Sequence, residues 1–118
     1  MKINIISFGQ KYHDQIKCDV LIDARSLINP YYQNDLKNIN GLDNRVLNFI
    51  LKDSYTSKYI DSIINYINIY IEGIKAKKEE ITIGVKCTGG MHRSVFLAEI
   101  LKNKIKEDVK VTHLDIIG

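Results

Sequence analysis

Residues 87–94, Cys-Thr-Gly-Gly-Met-His-Arg-Ser, carry the residue types best suited to chemistry in this chain. Adjacent glycines permit tight turning and close approach of the backbone to a ligand. A helix pattern follows at once, and the free N–H groups at a helix start favour an anion. Arg93 can grip a phosphate with two nitrogens, Thr88 and Ser94 add hydroxyl donors, and His92 can be neutral or charged near pH 7. We therefore predict an anion site here, the alternative being a plain turn capped by Ser94.

The same residues also resemble the signature of cysteine-dependent phosphatases. Cys87 is separated by five residues from Arg93, and Gly90 is the third of the five. In those enzymes the cysteine attacks phosphorus and the arginine holds the phosphate oxygens, so Cys87 and Arg93 form an alternative catalytic pair. The competing interpretation is that Cys87 is an inert, buried small side chain. A phosphatase also needs a general acid, and the sequence does not choose among three candidates: Asp43, Asp53 and Asp115.

Four stretches are predicted as the strands that position this segment. Residues 3–8 and 20–22 are apolar and β-branched, whereas residues 81–87 alternate apolar with other side chains. Residues 109–113 form a weaker fourth strand. The carboxyl ends of such strands are where ligands gather in α/β folds, and a polar loop, residues 29–40, follows the second strand.

Helical patterns lie between the later strands. One covers residues 46–51 after a cap at Asp43 or Asn44, and a longer isoleucine stripe runs from Ile60 to Ile74. A last helix covers residues 97–105. We predict an α/β fold, a three-layer sandwich around a small, mostly parallel sheet of four strands, as a single domain over residues 1–118.

Composition excludes several classes of protein. Hydrophobic residues make up 45% and charged residues 26%, with a net charge of +3, which excludes a disordered chain. No apolar run approaches the roughly 20 residues of a membrane span, so we expect a cytoplasmic protein with no membrane contact. Cys18 and Cys87 are too few for a disulfide scaffold, and we expect neither a metal nor a cofactor. Arginine is rare, which singles out three positions: Arg25, Arg45 and Arg93.

Five ordered segments resemble the C-terminal domain of the RapZ family, the bacterial RNase adapter and nucleotide-binding proteins. Residues 87–94 carry the block Cys-Thr-Gly-Gly-x-His-Arg-Ser, and residues 7–11 resemble the opening Ser-Phe-Gly-x-Lys. Residues 23–30 carry Asp-x-Arg followed by Asn-Pro, and residues 41–43 read Gly-Leu-Asp. His113 stands where the family has a late histidine.

The resemblance implies a ligand-sensing, regulatory domain rather than an enzyme, similar in fold to the sugar-phosphate-binding half of phosphofructokinases. Its ligand would be a phosphorylated small metabolite, an amino-sugar phosphate or a related nucleotide-sugar, and RNA or protein adapter contacts are further partners implied. Carried over by position, ten residues would bind the ligand: Lys11, Arg25, Asn29, Thr88, Gly89, Gly90, His92, Arg93, Ser94 and His113.

The chain departs from the family pattern in ways that bear on its ligand. No Gly-x-x-x-x-Gly-Lys-Ser/Thr loop is present, so ATP hydrolysis is not carried over. Lys86 stands where the family has glycine, and His13 replaces a small residue, so we expect both near the ligand.

A second stripe on the long helix predicts an interface. Its members are aromatic and lie beside the isoleucines: Tyr55, Tyr59, Tyr66 and Tyr70. A helix that is apolar on two faces is buried or contacts a partner, and we predict a homodimer.

Overall fold

The carboxyl ends of four parallel strands meet at one edge of a single sheet. The strands are β1 (Lys2–Gly9), β2 (Val20–Asp23), β3 (Glu80–Cys87) and β4 (Asp108–His113), and their order in the sheet is β2-β3-β1-β4. This computed structural model describes residues 1–116. The predicted α/β fold with a four-stranded sheet is confirmed, and all four strands are parallel.

Apolar side chains at every second position of the two central strands give the sheet one apolar face. Ile81, Ile83 and Val85 of β3 are at most 1% exposed, and Ile3 and Ile5 of β1 lie beside them in register. Burying each such side chain contributes about 1.5–3 kcal/mol, so this face is the main source of stability.

The apolar face is covered by α1 (Asn44–Lys52), α2 (Ser54–Ile74) and α3 (Arg93–Lys104). Each of the first two helices begins after an aspartate cap: Asp43 accepts from the N–H of Arg45 (2.9 Å), and Asp53 accepts from the N–H of Tyr55 (3.2 Å). Because Asp53 caps α2, the helix begins at Ser54, before the isoleucine stripe from Ile60 on which its prediction rested. No helix within residues 1–116 combines the length and apolar character that crossing a bilayer requires.

The opposite face of the sheet is crossed by the connection between β1 and β2, residues 10–19, which contains no helix. Its Cys18 lies against Gly84 of β3. β1 and β3 are neighbours in the sheet. The chain after β1 runs over one face of the sheet, whereas the helix after β3 packs on the other face. A crevice therefore opens between the carboxyl ends of these two strands. The site segment lies at that crevice.

The tyrosine stripe of α2 is partly used within the domain. Tyr55 stacks on Tyr59 with ring centroids 5.8 Å apart. The hydroxyl of Tyr55 donates to Ser26 Oγ (2.9 Å). Tyr66, further along the helix, remains half exposed. The homodimer stays a prediction.

Gly9, the last residue of β1, lies against the backbone of the site segment. A Cβ built on Gly9 would lie 2.4 Å from the carbonyl carbon of Gly89 and 2.7 Å from the nitrogen of Gly90. Both neighbours are backbone atoms, which cannot rotate away as a side chain does. A side chain at position 9 would therefore push the site segment away from β1.

Gly9→Ala is expected to lower the free energy of unfolding by about 1–3 kcal/mol, the usual cost of overpacking. Gly73→Ala is the matched control, because a Cβ at Gly73 in α2 meets nothing within 4 Å. That control should gain up to about 0.5–1 kcal/mol, since alanine favours a helix interior over glycine. Urea unfolding of both variants checks the prediction, and equal stability of the two would contradict it.

Candidate functional site

The site segment connects β3 to α3 through a tight turn. Cys87 ends β3 in register with Gly9, and Gly90 has a φ of +74°, in the region that favours glycine. The turn leads directly into α3, whose first residue is Arg93. Two glycines, one on β1 and one in the turn, thus bring the segment onto the end of the neighbouring strand.

The backbone of this turn offers hydrogen-bond donors. Among the described residues, only one amide of the five at positions 88–92 has an acceptor, that of Gly90, which donates to Cys87 Sγ (3.3 Å). The first amides of α3 have no acceptor within the helix either. Donors of this kind around a helix start suit an anion.

The guanidinium of Arg93 is buried and has no carboxylate partner among the described residues. The residue is 8% exposed, and its Nη1 donates to the carbonyl oxygens of Arg25 (2.6 Å) and Leu27 (3.4 Å). Within residues 1–116 no carboxylate oxygen lies within 4.0 Å of it. Arg25 and Arg45, in contrast, each pair with an aspartate two residues earlier. A buried cation without a counterion is costly unless a ligand supplies the negative charge.

Arg93 borders a cavity of about 580 Å³, hereafter the loop cavity. Its walls come from the site segment, the residues after β1 and the connection after β2. The lining residues combine amides, aromatic rings and cations: Lys11, Tyr12, Asn29, Tyr31, Tyr32, Lys37, Asn38, Cys87, Thr88, Gly89, Met91, His92 and Arg93. No aspartate or glutamate belongs to this set, so the described walls are positively charged. The volume is in the range of small-molecule sites.

Six of the ten predicted ligand-binding residues line the loop cavity: Lys11, Asn29, Thr88, Gly89, His92 and Arg93. Gly90 and Ser94 lie behind this wall, where Ser94 Oγ accepts from the Cys87 thiol (3.1 Å). Lys11 is held beside the segment because its N–H donates to the carbonyl of Thr88 (3.2 Å). The structure thus brings together the residues after β1, β2 and β3.

Arg25 does not line the loop cavity. Its Nε and Nη2 donate to the carboxylate of Asp23 at 2.8–3.0 Å, and this hydrogen-bonded pairing lowers the pKa of Asp23. The contribution of Arg25 to the site is its backbone carbonyl, which anchors Arg93.

His113 also lies outside the lining set, although it was predicted to bind ligand. Its Nδ1 is 2.5 Å from Ser7 Oγ, and its Nε2 is 2.8 Å from Glu99 Oε2. These contacts tie the end of β4 to β1 and α3. Ser7 is fully buried, and both ring nitrogens of His113 already have partners within the domain.

Lys86 and His13 face a second cavity, of about 800 Å³, between the sheet and residues 10–18. Lys86 Nζ donates to Gln10 Oε1 (3.1 Å), and His13 Nε2 is 2.9 Å from Asp115 Oδ1. Asp115 Oδ2 in turn accepts from the N–H of Gly9 (2.7 Å). Neither departure from the family pattern therefore lines the loop cavity.

Sequence reasoning missed six lining residues: Tyr12, Tyr31, Tyr32, Lys37, Asn38 and Met91. Four of them lie in the polar loop 29–40, whose place after a strand already predicted ligand contact. The position of this loop in the sequence could therefore have identified these four residues, whereas their residue types could not. Within residues 1–116 no three His, Cys, Asp or Glu side chains come together as metal ligands.

The site favours the neutral form of His92 for a physical reason. Its side chain is buried, and this burial lowers its pKa, although hydrogen bonds to the backbone of Leu36 and Ile39 act in the opposite direction. Nε2 must carry the proton, because its partner at 3.1 Å is the carbonyl of Leu36, which can only accept. His92 therefore fixes the connection 24–43 against the start of α3.

The lowered pKa of His92 predicts how stability depends on pH. The unfolded chain binds a proton at the ordinary pKa of about 6.5, whereas the folded state resists protonation. The stabilisation from neutral His92 is thus complete above pH 6.5 and is lost as the pH falls towards the folded pKa. Melting temperatures between pH 8 and 5.5 should fall more steeply for the wild type than for His92→Gln. Parallel slopes would contradict this assignment.

Known proteins resemble this chain along almost its whole length. The family model described as the RapZ C-terminal domain matches residues 1–117. A nucleotide-binding protein of Bacillus cytotoxicus is 39% identical over 118 residues, which covers 98% of this chain and 40% of that protein. Proteins with the same description from Bacillus velezensis and Bacillus thuringiensis are 37% identical, covering 97% and 98% of this chain and 40% of each relative. The chain thus spans about two fifths of the length of these relatives. It belongs to the RapZ C-terminal domain family.

Proposed function

We propose that this domain binds a phosphorylated small metabolite in the loop cavity and acts as a regulatory sensor of it. An amino-sugar phosphate or a related nucleotide-sugar is the ligand class. The phosphate would lie at the turn 88–92, where amides without acceptors and the start of α3 face the cavity.

The buried guanidinium of Arg93, which has no carboxylate partner within residues 1–116, is the observation that carries the proposal. Nη1 is fixed by two carbonyls, and Nε and Nη2 have no acceptor among the described residues. These two nitrogens are the pair that would hold a phosphate. A dianionic phosphate would supply the negative charge that the described walls lack.

The names of the relatives support an anionic ligand. The Bacillus proteins are described as nucleotide-binding, and a nucleotide shares its phosphate with the proposed ligand class. Because this chain matches 40% of their length, the description applies to proteins longer than this domain.

The RNA or protein adapter role, the homodimer and the cytoplasmic location stay predictions. Four lysines form a basic strip along the end of α3, the connection that follows it and β4: Lys102, Lys104, Lys106 and Lys110. Their number is modest, and RNA binding through them would show a strong dependence on salt.

A second candidate function, hydrolysis of phosphate esters, is favoured by the surroundings of Cys87. Its sulfur accepts a hydrogen bond from the N–H of Gly90 and donates one to Ser94 Oγ, and Cys87 and Arg93 line the same cavity. The thiolate would attack phosphorus, the ester P–O bond would break, and water would then release phosphate from the sulfur. None of the three candidate general acids lines the loop cavity, which favours the sensor.

Arg93→Gln should weaken binding of glucosamine 6-phosphate and inorganic phosphate by about 10- to 100-fold, because a charge-assisted hydrogen bond is worth about 1.5–3 kcal/mol. Arg45→Gln is the matched control, since it removes the same charge from an exposed arginine paired with Asp43. Isothermal titration calorimetry measures both, with circular dichroism to verify folding. Loss of binding in Thr88→Val with binding kept in Arg93→Gln would contradict the proposal.

Phosphate release from a panel of phosphate esters, with Cys87→Ser beside the wild type, separates the two candidates. We expect no turnover from either protein, since the described cavity walls have no carboxyl group to protonate a leaving group. Turnover by the wild type that disappears in Cys87→Ser would instead make this domain a phosphatase.

A further inference from the structure

Three exposed tyrosines surround the mouth of the loop cavity. Tyr12, Tyr31 and Tyr32 are 61%, 50% and 79% exposed, and all three line the cavity. They come from two separate connections, the one after β1 and the one after β2. Tyrosine offers a large apolar face that is usually covered in part, so three such faces at one opening mark a surface suited to a ligand.

Local hydrogen bonds hold the backbone that carries Tyr31 and Tyr32. Pro30–Tyr32 form a single 3₁₀ turn, in which Asn29 Oδ1 accepts from the N–H of Tyr31 (3.1 Å) and Pro30 is buried. The ring of Tyr31 meets that of Tyr32 edge to face, with centroids 5.8 Å apart. The backbone that carries the two rings is therefore ordered before a ligand binds, which lowers the entropic cost of binding.

The chemistry around these rings matches a sugar more closely than a nucleobase. The planes of Tyr31 and Tyr32 are 84° apart, so they form no parallel pair that could sandwich a flat base. The amides of Asn29 and Asn38 line the same cavity, and an amide both donates to and accepts from hydroxyl groups. A pyranose ring presents C–H groups on its faces and hydroxyls around its rim.

From this arrangement we infer that Tyr12, Tyr31 and Tyr32 form a subsite for the pyranose ring of a phosphorylated sugar. The inference rests on the proposed function, because it places the phosphate of the same ligand at Arg93. The tyrosines then determine which phosphate compounds bind, and the turn 88–92 supplies affinity common to all of them. Lys37 and Lys11, whose ammonium groups lie 4.7 Å and 5.1 Å from the centroids of Tyr31 and Tyr12, keep the charge of this wall positive.

Titration of Tyr31→Ala and Tyr32→Ala with four probes tests the subsite: inorganic phosphate, glucose 6-phosphate, glucosamine 6-phosphate and uridine 5′-monophosphate. Affinity for the two hexose phosphates should fall by about 3- to 10-fold, the usual worth of an aromatic contact, with inorganic phosphate unchanged within about twofold. Tyr66→Ala is the control, because Tyr66 is equally exposed on α2 and does not line the cavity. It should leave all four affinities unchanged.

Two results would overturn the subsite while leaving the phosphate site intact. One is an equal loss of affinity for inorganic phosphate and hexose phosphates in the tyrosine variants. The other is a larger loss for uridine monophosphate than for the hexose phosphates, which would assign the rings to a base. A wild type that binds none of the four probes would instead overturn the proposed function itself.

Discussion

The side chain of Arg93 joins the architecture of this domain to its chemistry. One nitrogen of the guanidinium holds the carbonyls of Arg25 and Leu27, and so fixes the connection after β2 against the start of α3. The same group carries a charge that nothing in the described chain neutralises. The fold thus holds a cation where it needs a hydrogen-bond donor, and the proposed phosphate ligand would supply the missing negative charge.

The strands and helices could be predicted from the sequence because their burial follows simple periods. Alternation along residues 81–87 placed β3, and the spacing of isoleucines from Ile60 placed most of α2. The location of the site followed from the same logic, since parallel strands end at one edge and residues 87–94 begin there. Composition had little part in this result.

The individual contacts of the site could not be predicted, because each polar side chain has several possible partners and only the folded structure determines which one it meets. Arg25 pairs with Asp23, two residues away, and this local carboxylate accepts the hydrogen bonds of Nε and Nη2. His113 has the right residue type, yet its partners Ser7 and Glu99 are 106 and 14 residues distant in sequence. The tyrosines of the cavity mouth were overlooked because exposed aromatic residues in a polar loop show no periodicity.

The distribution of aromatic residues gives the domain a built-in optical reporter. The chain contains no tryptophan and seven tyrosines, of which three line the loop cavity. Tyrosine emission is therefore not lost by energy transfer to an indole, and three of the seven rings that can emit lie beside the site. Lys37 and Lys11 lie over two of these rings, so any movement of either ammonium group changes the electric field at the fluorophore. Ultraviolet fluorescence of the unlabelled protein would therefore report the binding of the proposed ligand.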